Sequence, residues 1–142
     1  MSVLLGRETR VIVQGLGREG RFHAERMKDY GTKVVGGTKP GAGGTSIDGI
    51  PMFDTVARAV DATGADASIV FVPAPAAMDA LLEAIDAQIE LVIAITEGIP
   101  IADMLKVAAV LETAATTLVG PNGPGAITPG QSKIGIMPAE NF

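Results

Sequence analysis

A tight glycine turn, Gly15-Leu16-Gly17-Arg18-Glu19-Gly20, follows the apolar run Val11-Ile12-Val13 and opens into a helix-like stretch from Arg21 to Tyr30. A chain that passes from strand to helix through closely spaced glycines turns sharply, lets another group approach its backbone, and packs the new helix close to the sheet. The same order aims main-chain N–H groups and a helix N-terminus at one point, which suits a phosphate. Because the chain has 18 glycines, the spacing alone says little; its place between strand and helix carries the reading.

Short β-branched runs recur at Arg10 to Gln14, Lys33 to Gly36, Ala67 to Val72, Leu91 to Ile95 and Thr117 to Val119. Helical patterns lie between them. Met78, Leu81, Leu82 and Ile85 repeat at i, i+3, i+4 and i+7, as do Met104, Val107, Ala108 and Leu111, so each segment presents one apolar face. Gly31 and Gly64 stand where a left-handed helix cap is expected. Strands alternating with helices in this way predict an α/β fold with a doubly wound, mostly parallel sheet and helices on both faces. In such a fold the fourth strand, Leu91 to Ile95, is expected to return beside the first and to open a crevice between them. The turns Gly15 to Gly20 and Thr96-Glu97-Gly98 face it, and Val72-Pro73-Ala74-Pro75 leaves the sheet at the same carboxyl edge.

The segment Gly36 to Thr45 is too rich in glycine for a helix or a central strand and is expected to be a mobile loop. Ile50 to Phe53 reads as a short extended piece before a helix from about Asp54 to Ala62. Gly120 to Gly125 is a further tight turn, and Lys133 to Met137 is a candidate last strand.

A length of 142 residues with 47% hydrophobic and 19% charged side chains fits one domain over 1–142. No apolar run reaches the roughly 18 residues of a membrane span, and the first ten residues lack a signal-peptide core, so a cytoplasmic protein without a membrane role is expected. The absence of cysteine excludes disulfides, thiolate metal sites and a cysteine nucleophile, and a single histidine leaves no imidazole cluster for zinc. A net charge of −5 argues against nucleic-acid binding, so any anionic ligand is held by local donors.

An NAD site wants Asp or Glu at the end of the second strand, roughly 20 residues after the glycines, to bond the ribose hydroxyls. Here that region reads Val34-Val35-Gly36-Gly37-Thr38-Lys39. A lysine there suits a phosphomonoester, either the 3′-phosphate of coenzyme A or the 2′-phosphate of NADP. NAD itself is disfavoured.

Several blocks occur in order: Val11 to Gly15, Phe22-His23, Tyr30 to Lys33, Val35 to Gly37, Val72 to Pro75, Ile95-Thr96-Glu97-Gly98-Ile99-Pro100, Gly120-Pro121-Asn122 and Ile127 to Gly130. Together they resemble the N-terminal CoA-binding domain of succinyl-CoA synthetase (succinate–CoA ligase) α subunits and their malate–CoA ligase relatives, over essentially the whole chain. The resemblance implies part of a nucleotide-dependent acid–thiol ligase of the tricarboxylic acid cycle type. Its cofactor is coenzyme A, and its partner is a β-type subunit. It places the CoA contacts on Gly17, Arg18, Glu19 and Gly20, on Lys39 of the glycine-rich loop, on Pro73, and on Ile95, Thr96 and Glu97. It assigns no catalytic residue to this chain, because the histidine that carries phosphate in the family lies in a further domain, after the residues seen here.

Four departures from the family pattern stand out. The first turn is one residue shorter than Gly-aromatic-Thr-Gly-x-x-Gly, which gives it the plain dinucleotide spacing. Ala42 stands where the family has the lysine of Pro-Gly-Lys-Gly-Gly, Gly123 replaces a cysteine, and the phosphorylated histidine is absent. Two other readings therefore stay open: an NADP(H)-binding module, and a non-catalytic assembly module that docks a partner subunit or itself. His23 reads as a packed structural side chain, Met78 and Met104 as core, and Asp61 and Asp66 as solubilising surface groups.

Overall fold

The computed structural model describes residues 4–141. Strand β1 (Arg10–Gln14) runs into α1 (Arg18–Tyr30), then β2 (Lys33–Thr38) and the short pair β3 (Ser46–Ile47) and β4 (Ile50–Phe53). The chain continues through α2 (Val56–Thr63), β5 (Ala67–Val70), α3 (Ala74–Asp86), β6 (Leu91–Ala94), α4 (Ile101–Leu111) and β7 (Thr117–Val119). It closes with β8 (Gly125–Thr128), β9 (Ser132–Gly135) and a 3-10 turn at Ala139–Asn141.

Seven strands form one sheet in the order β3-β4-β2-β1-β5-β6-β7. All neighbours are parallel except β3 and β4, which are antiparallel. The expected doubly wound α/β fold is therefore present. Its winding point differs from the expectation. Ile50–Phe53 is a true third strand, bonded to β2 through Gly37↔Met52 and Thr38↔Phe53. That uses up the outward winding, so the strand that returns beside β1 is Ala67–Val70, and Leu91–Ala94 lies one place farther out. The crevice opens between β1 and β5.

Alternating strand residues face two apolar layers. Val11, Val13, Ile69, Leu91 and Ile93 pack against Ala24 and Met27 of α1 and Ile134 of β9. Ile12, Val70, Val92 and Ala94 pack against Val56 and Ala59 of α2, Leu81, Ala84 and Ile85 of α3, and Val107 of α4. Met78 and Met104 are packed against this second layer, as their spacing predicts. Of the apolar positions proposed for α4 only Val107 is fully buried; Ala108 is exposed, because the helix covers the margin of the sheet, and Ile101 and Leu105 are exposed as well.

Gly31 (φ 106°) and Gly64 (φ 70°) close α1 and α2 in the left-handed region, as expected. Thr55 caps α2 by accepting from the Arg58 N–H at 3.2 Å. Asp66 is more than a surface charge: its carboxylate accepts the Arg10 N–H at 2.8 Å and satisfies the first donor of β1.

The glycine-rich segment also departs from expectation. Gly36, Gly37 and Thr38 are buried members of β2, next to the central strand, because the Leu16 side chain fills the space a Cβ on Gly37 would need. The following turn is pinned to β4: the N–H groups of Lys39 and Gly44 bond to Phe53 O and Met52 O, and the Gly43 N–H bonds to the Asp54 carboxylate at 2.9 Å. A chain with that many anchors is a folded turn. Lys133 to Met137 is replaced by Ser132–Gly135, paired antiparallel with Gly125–Thr128 in a hairpin separate from the main sheet.

Candidate functional site

The turn after β1 is shaped by its own backbone. Gly15 adopts φ 98°, and a Cβ there would lie 2.9 Å from the Val72 N. A Cβ on Gly20 would collide with the Gly15 carbonyl oxygen. Gly17, the N-cap of α1, is different: it is extended (φ −80°, ψ −159°), and a Cβ built on it meets no atom within 4 Å. Packing inside the domain demands glycine at 15 and 20 but not at 17. Among the described residues, the main-chain N–H groups of Leu16, Gly17, Arg18, Glu19 and Gly20 donate to no protein acceptor; the first helical bond is Arg21 N–H to Gly17 O at 2.9 Å. Unspent donors at a helix N-terminus attract an anion through the helix dipole.

A cleft of about 480 Å³ lies beside this turn at the carboxyl edge. It brings together Glu19, Ile95, Thr96 and Glu97 from the sequence reading with six residues that reading did not assign to the site. These are His23, Phe71, Asn122, Gly123, Pro124 and Ile136. Gly17, Arg18, Gly20, Pro73 and Lys39 belong to the same edge but do not line the cleft. Pro73 is the N-cap of α3, and Lys39 is exposed one residue past the end of β2. No ion pair holds the Arg18 or Lys39 side chain among the described residues, so both cations are free to meet a ligand.

Thr96 is partly committed to structure. Its hydroxyl donates to Val72 O at 2.7 Å and ties the ends of β5 and β6 together. The Asn122 N–H bonds to Thr96 O at 3.0 Å, and a Cβ on Gly120 would collide with Ala94 O, so the 120–125 turn is seated on the end of β6. This seating makes Asn122, Gly123 and Pro124 one wall of the cleft.

The opposite wall is His23, whose ring stacks on Phe71 at 5.7 Å between centroids with planes 3° apart and meets Phe22 edge-on at 5.0 Å. Burial against these rings holds the imidazole below its ordinary pKa, opposed by Glu19, whose carboxylate lies 3.6 Å from Nε2. His23 is thus a packed wall residue, as the sequence suggests, and also a lining one. The i, i+4 spacing of Glu19 and His23 across the first turn of α1 is the signal that places both on the cleft side.

A third contact fixes the hairpin. The Thr32 hydroxyl donates to Lys133 O at 2.6 Å and accepts from the Lys133 N–H at 2.9 Å, so the end of α1 grips β9. Ile136 enters the cleft wall through this clamp. Among the described residues no group of three or more His, Cys, Asp or Glu side chains is placed to hold a metal ion, and no helix is long and apolar enough to cross a membrane.

Comparison with known proteins adds three findings. Residues 6–98 match the family model described as a CoA binding domain. The chain is 54% identical to the succinate–CoA ligase [ADP-forming] subunit alpha of Aquifex aeolicus and 50% identical to the subunit alpha 2 of Archaeoglobus fulgidus. Each match covers 100% of this chain but 48% and 50% of the relatives, so the chain spans about half their length. Among solved structures, ATP citrate lyase from Methanothrix soehngenii in complex with citrate and coenzyme A superposes with a TM-score of 0.81 at 26% identity, over 94% of this chain and 24% of that one.

Proposed function

The chain belongs to the CoA-binding domain family, and from that premise we propose that residues 1–142 form one domain that holds coenzyme A at the β1–β5 winding point, as the CoA-presenting half of a succinate–CoA ligase type α subunit. The observation that carries this reading is Gly17: open space in front of its Cα, beside main-chain donors at 16–20 with no protein acceptor. Diphosphate oxygens approach a backbone this closely only where no side chain intervenes. Arg18 adds an unpaired cation beside them. The thiol-bearing arm runs along Ile95, Thr96 and Glu97 and past the Pro73 turn, and Lys39 faces the 3′-phosphate from the end of β2. The family match supports CoA over NADP(H), between which the short glycine turn and Lys39 do not decide.

Catalysis is shared with parts beyond this chain. In the full ligase the domain presents the CoA thiol to an acyl phosphate, while the phosphorylated histidine sits in a further domain and a β-type subunit supplies the nucleotide site. The role of residues 1–142 is binding and orientation. Titration calorimetry on this chain tests the proposal: CoA gives saturable heat, NADPH gives none, and dephospho-CoA binds more weakly because Lys39 loses its phosphate. No heat with CoA rejects the reading, and equal affinity for the two CoA forms removes Lys39 from the site.

A further inference from the structure

Lys133 is a buried cation that the CoA reading leaves without a role. It is 2% exposed, and Thr32 holds its main-chain N–H and C=O, so the side chain leaves β9 in a fixed direction. Its ammonium donates to Met137 O and, among the described residues, to no other acceptor. An ammonium carries three N–H donors. A buried cation that meets one neutral carbonyl and no carboxylate sits at a cost that an anion would relieve. Burial holds Lys133 below the ordinary lysine pKa; Glu140 opposes this, and Arg26 adds to it.

Lys133 and Met137, whose carbonyl takes the ammonium, both line a hollow of about 190 Å³ between α1 and the segment 136–140. Arg26 is its second cation; the guanidinium lies 5.1 Å over the Phe22 ring and forms no ion pair among the described residues. The walls are open apolar surface, since Phe22 is 54% and Ile136 38% exposed, and Pro138 continues them. Glu140 is the one carboxylate among the lining residues, and it makes no ion pair with either cation. His23 also lines the hollow, but its lowered pKa leaves the ring uncharged near neutral pH. Two cations against one carboxylate leave one positive charge in surplus, so a monoanion balances the site and a dianion overshoots it. Inorganic phosphate has nothing to lay against Phe22 and Ile136, whereas a short-chain carboxylate has a head for the cations and a tail for the walls. The volume equals that of roughly six water molecules at about 30 Å³ each, which suits an acid of about four carbons.

We propose that Lys133 and Arg26 bind the carboxylate of a short-chain monocarboxylic acid, whose hydrocarbon tail lies on Phe22 and Ile136. The site does not depend on the CoA reading, although His23 and Ile136 line both this hollow and the cleft.

The test uses the 142-residue chain, labelled with 15N and with 13C at the lysine Cε, and n-butyrate as the probe at fixed ionic strength. The expected result is saturable amide shifts at Phe22, Arg26 and 133–137, together with an upward move of the Lys133 titration. Butyramide, neutral and of the same shape, should give neither. Lys133→Met keeps the length of the stem and should weaken butyrate at least about tenfold; Arg26→Gln, at an exposed position, should weaken it at least about threefold. A control of the same charge change, Lys28→Gln, keeps the parent affinity. The proposal is overturned if butyrate gives no saturable shift, if the shifts lie only at the glycine turn, or if butyramide matches butyrate. It also fails if phosphate or succinate binds more tightly than butyrate, if either site variant keeps the parent affinity, or if Lys28→Gln weakens butyrate as much as Arg26→Gln does. Thermal unfolding shows whether Lys133→Met is folded; if it is not, Arg26→Gln and the butyramide comparison decide. Failure leaves the CoA reading standing, because no step of the test uses CoA.

Discussion

The Cα of Gly20 sits against the carbonyl oxygen of Gly15, so close that a methyl group on Gly20 would overlap it. The overlap is with backbone at both ends, and no flexible side chain can move aside. Replacement of Gly20 by Ala must therefore push α1 away from the sheet or twist the turn open. We expect Gly20→Ala to lower stability by on the order of 3 kcal/mol, the upper range for overpacking a tight site. Urea denaturation reads this as a lower midpoint with an unchanged slope. A midpoint within error of the parent protein would show that the two residues have more freedom than their contact implies.

Gly17 gives the opposite expectation, although it belongs to the same turn. A side chain at 17 meets no protein atom, so Gly17→Val should cost only about 1 kcal/mol, the usual loss when a tolerated N-cap becomes β-branched. Coenzyme A should lose at least about tenfold in affinity, roughly 1.4 kcal/mol, because the isopropyl group stands where the diphosphate approaches the main chain. Calorimetry beside a melting curve separates the two effects. Binding that survives in a folded Gly17→Val protein would move the diphosphate away from this turn.

These two glycines also mark how far the sequence is legible. The order of strand, glycine turn and helix identifies the turn, and periodicity finds α3, because those signals are local. The roles of Gly17 and Gly20 are not separable in the sequence, since the difference depends on what lies across the turn. The same limit explains β4: Ile50–Phe53 is only four residues long and contains a proline, so its pairing with β2 is visible only once the chain is folded. Missing that strand moved the expected crevice by one position. Likewise Gly37 looks like a loop residue until Leu16 is seen to need its missing side chain. Phe71, Asn122 and Ile136 reach the cleft through crossovers and a hairpin clamp, and no local spacing records such contacts.

The clamp itself carries a measurable share of stability. Thr32 is buried, and its single hydroxyl serves both main-chain groups of Lys133. Thr32→Val keeps the shape and leaves a buried N–H and C=O without partners, at about 1–3 kcal/mol for each group. We expect a total loss of about 2–4 kcal/mol, with faster amide exchange concentrated in β8 and β9. The main sheet should keep its protection, because the hairpin is a separate unit. Uniform loss of protection across both sheets would mean that the hairpin and the main sheet unfold together.

His23 supplies the pH dependence. Its imidazole is held below the ordinary value of about 6.5 chiefly by burial against Phe22 and Phe71, with the Glu19 carboxylate pulling the other way. In the unfolded chain the ring takes its proton first, so as pH falls through about 6.5 the unfolded state binds more protons and stability declines; it stops declining once the folded ring is protonated as well. Glu19→Gln removes the upward pull, so the His23 titration followed by NMR should move still lower and the acid-side decline should extend farther. His23→Phe removes the titrating group, and its stability should be flatter between pH 6.5 and the native midpoint. An imidazole midpoint that fails to fall in Glu19→Gln would show that the carboxylate does not face the ring in solution.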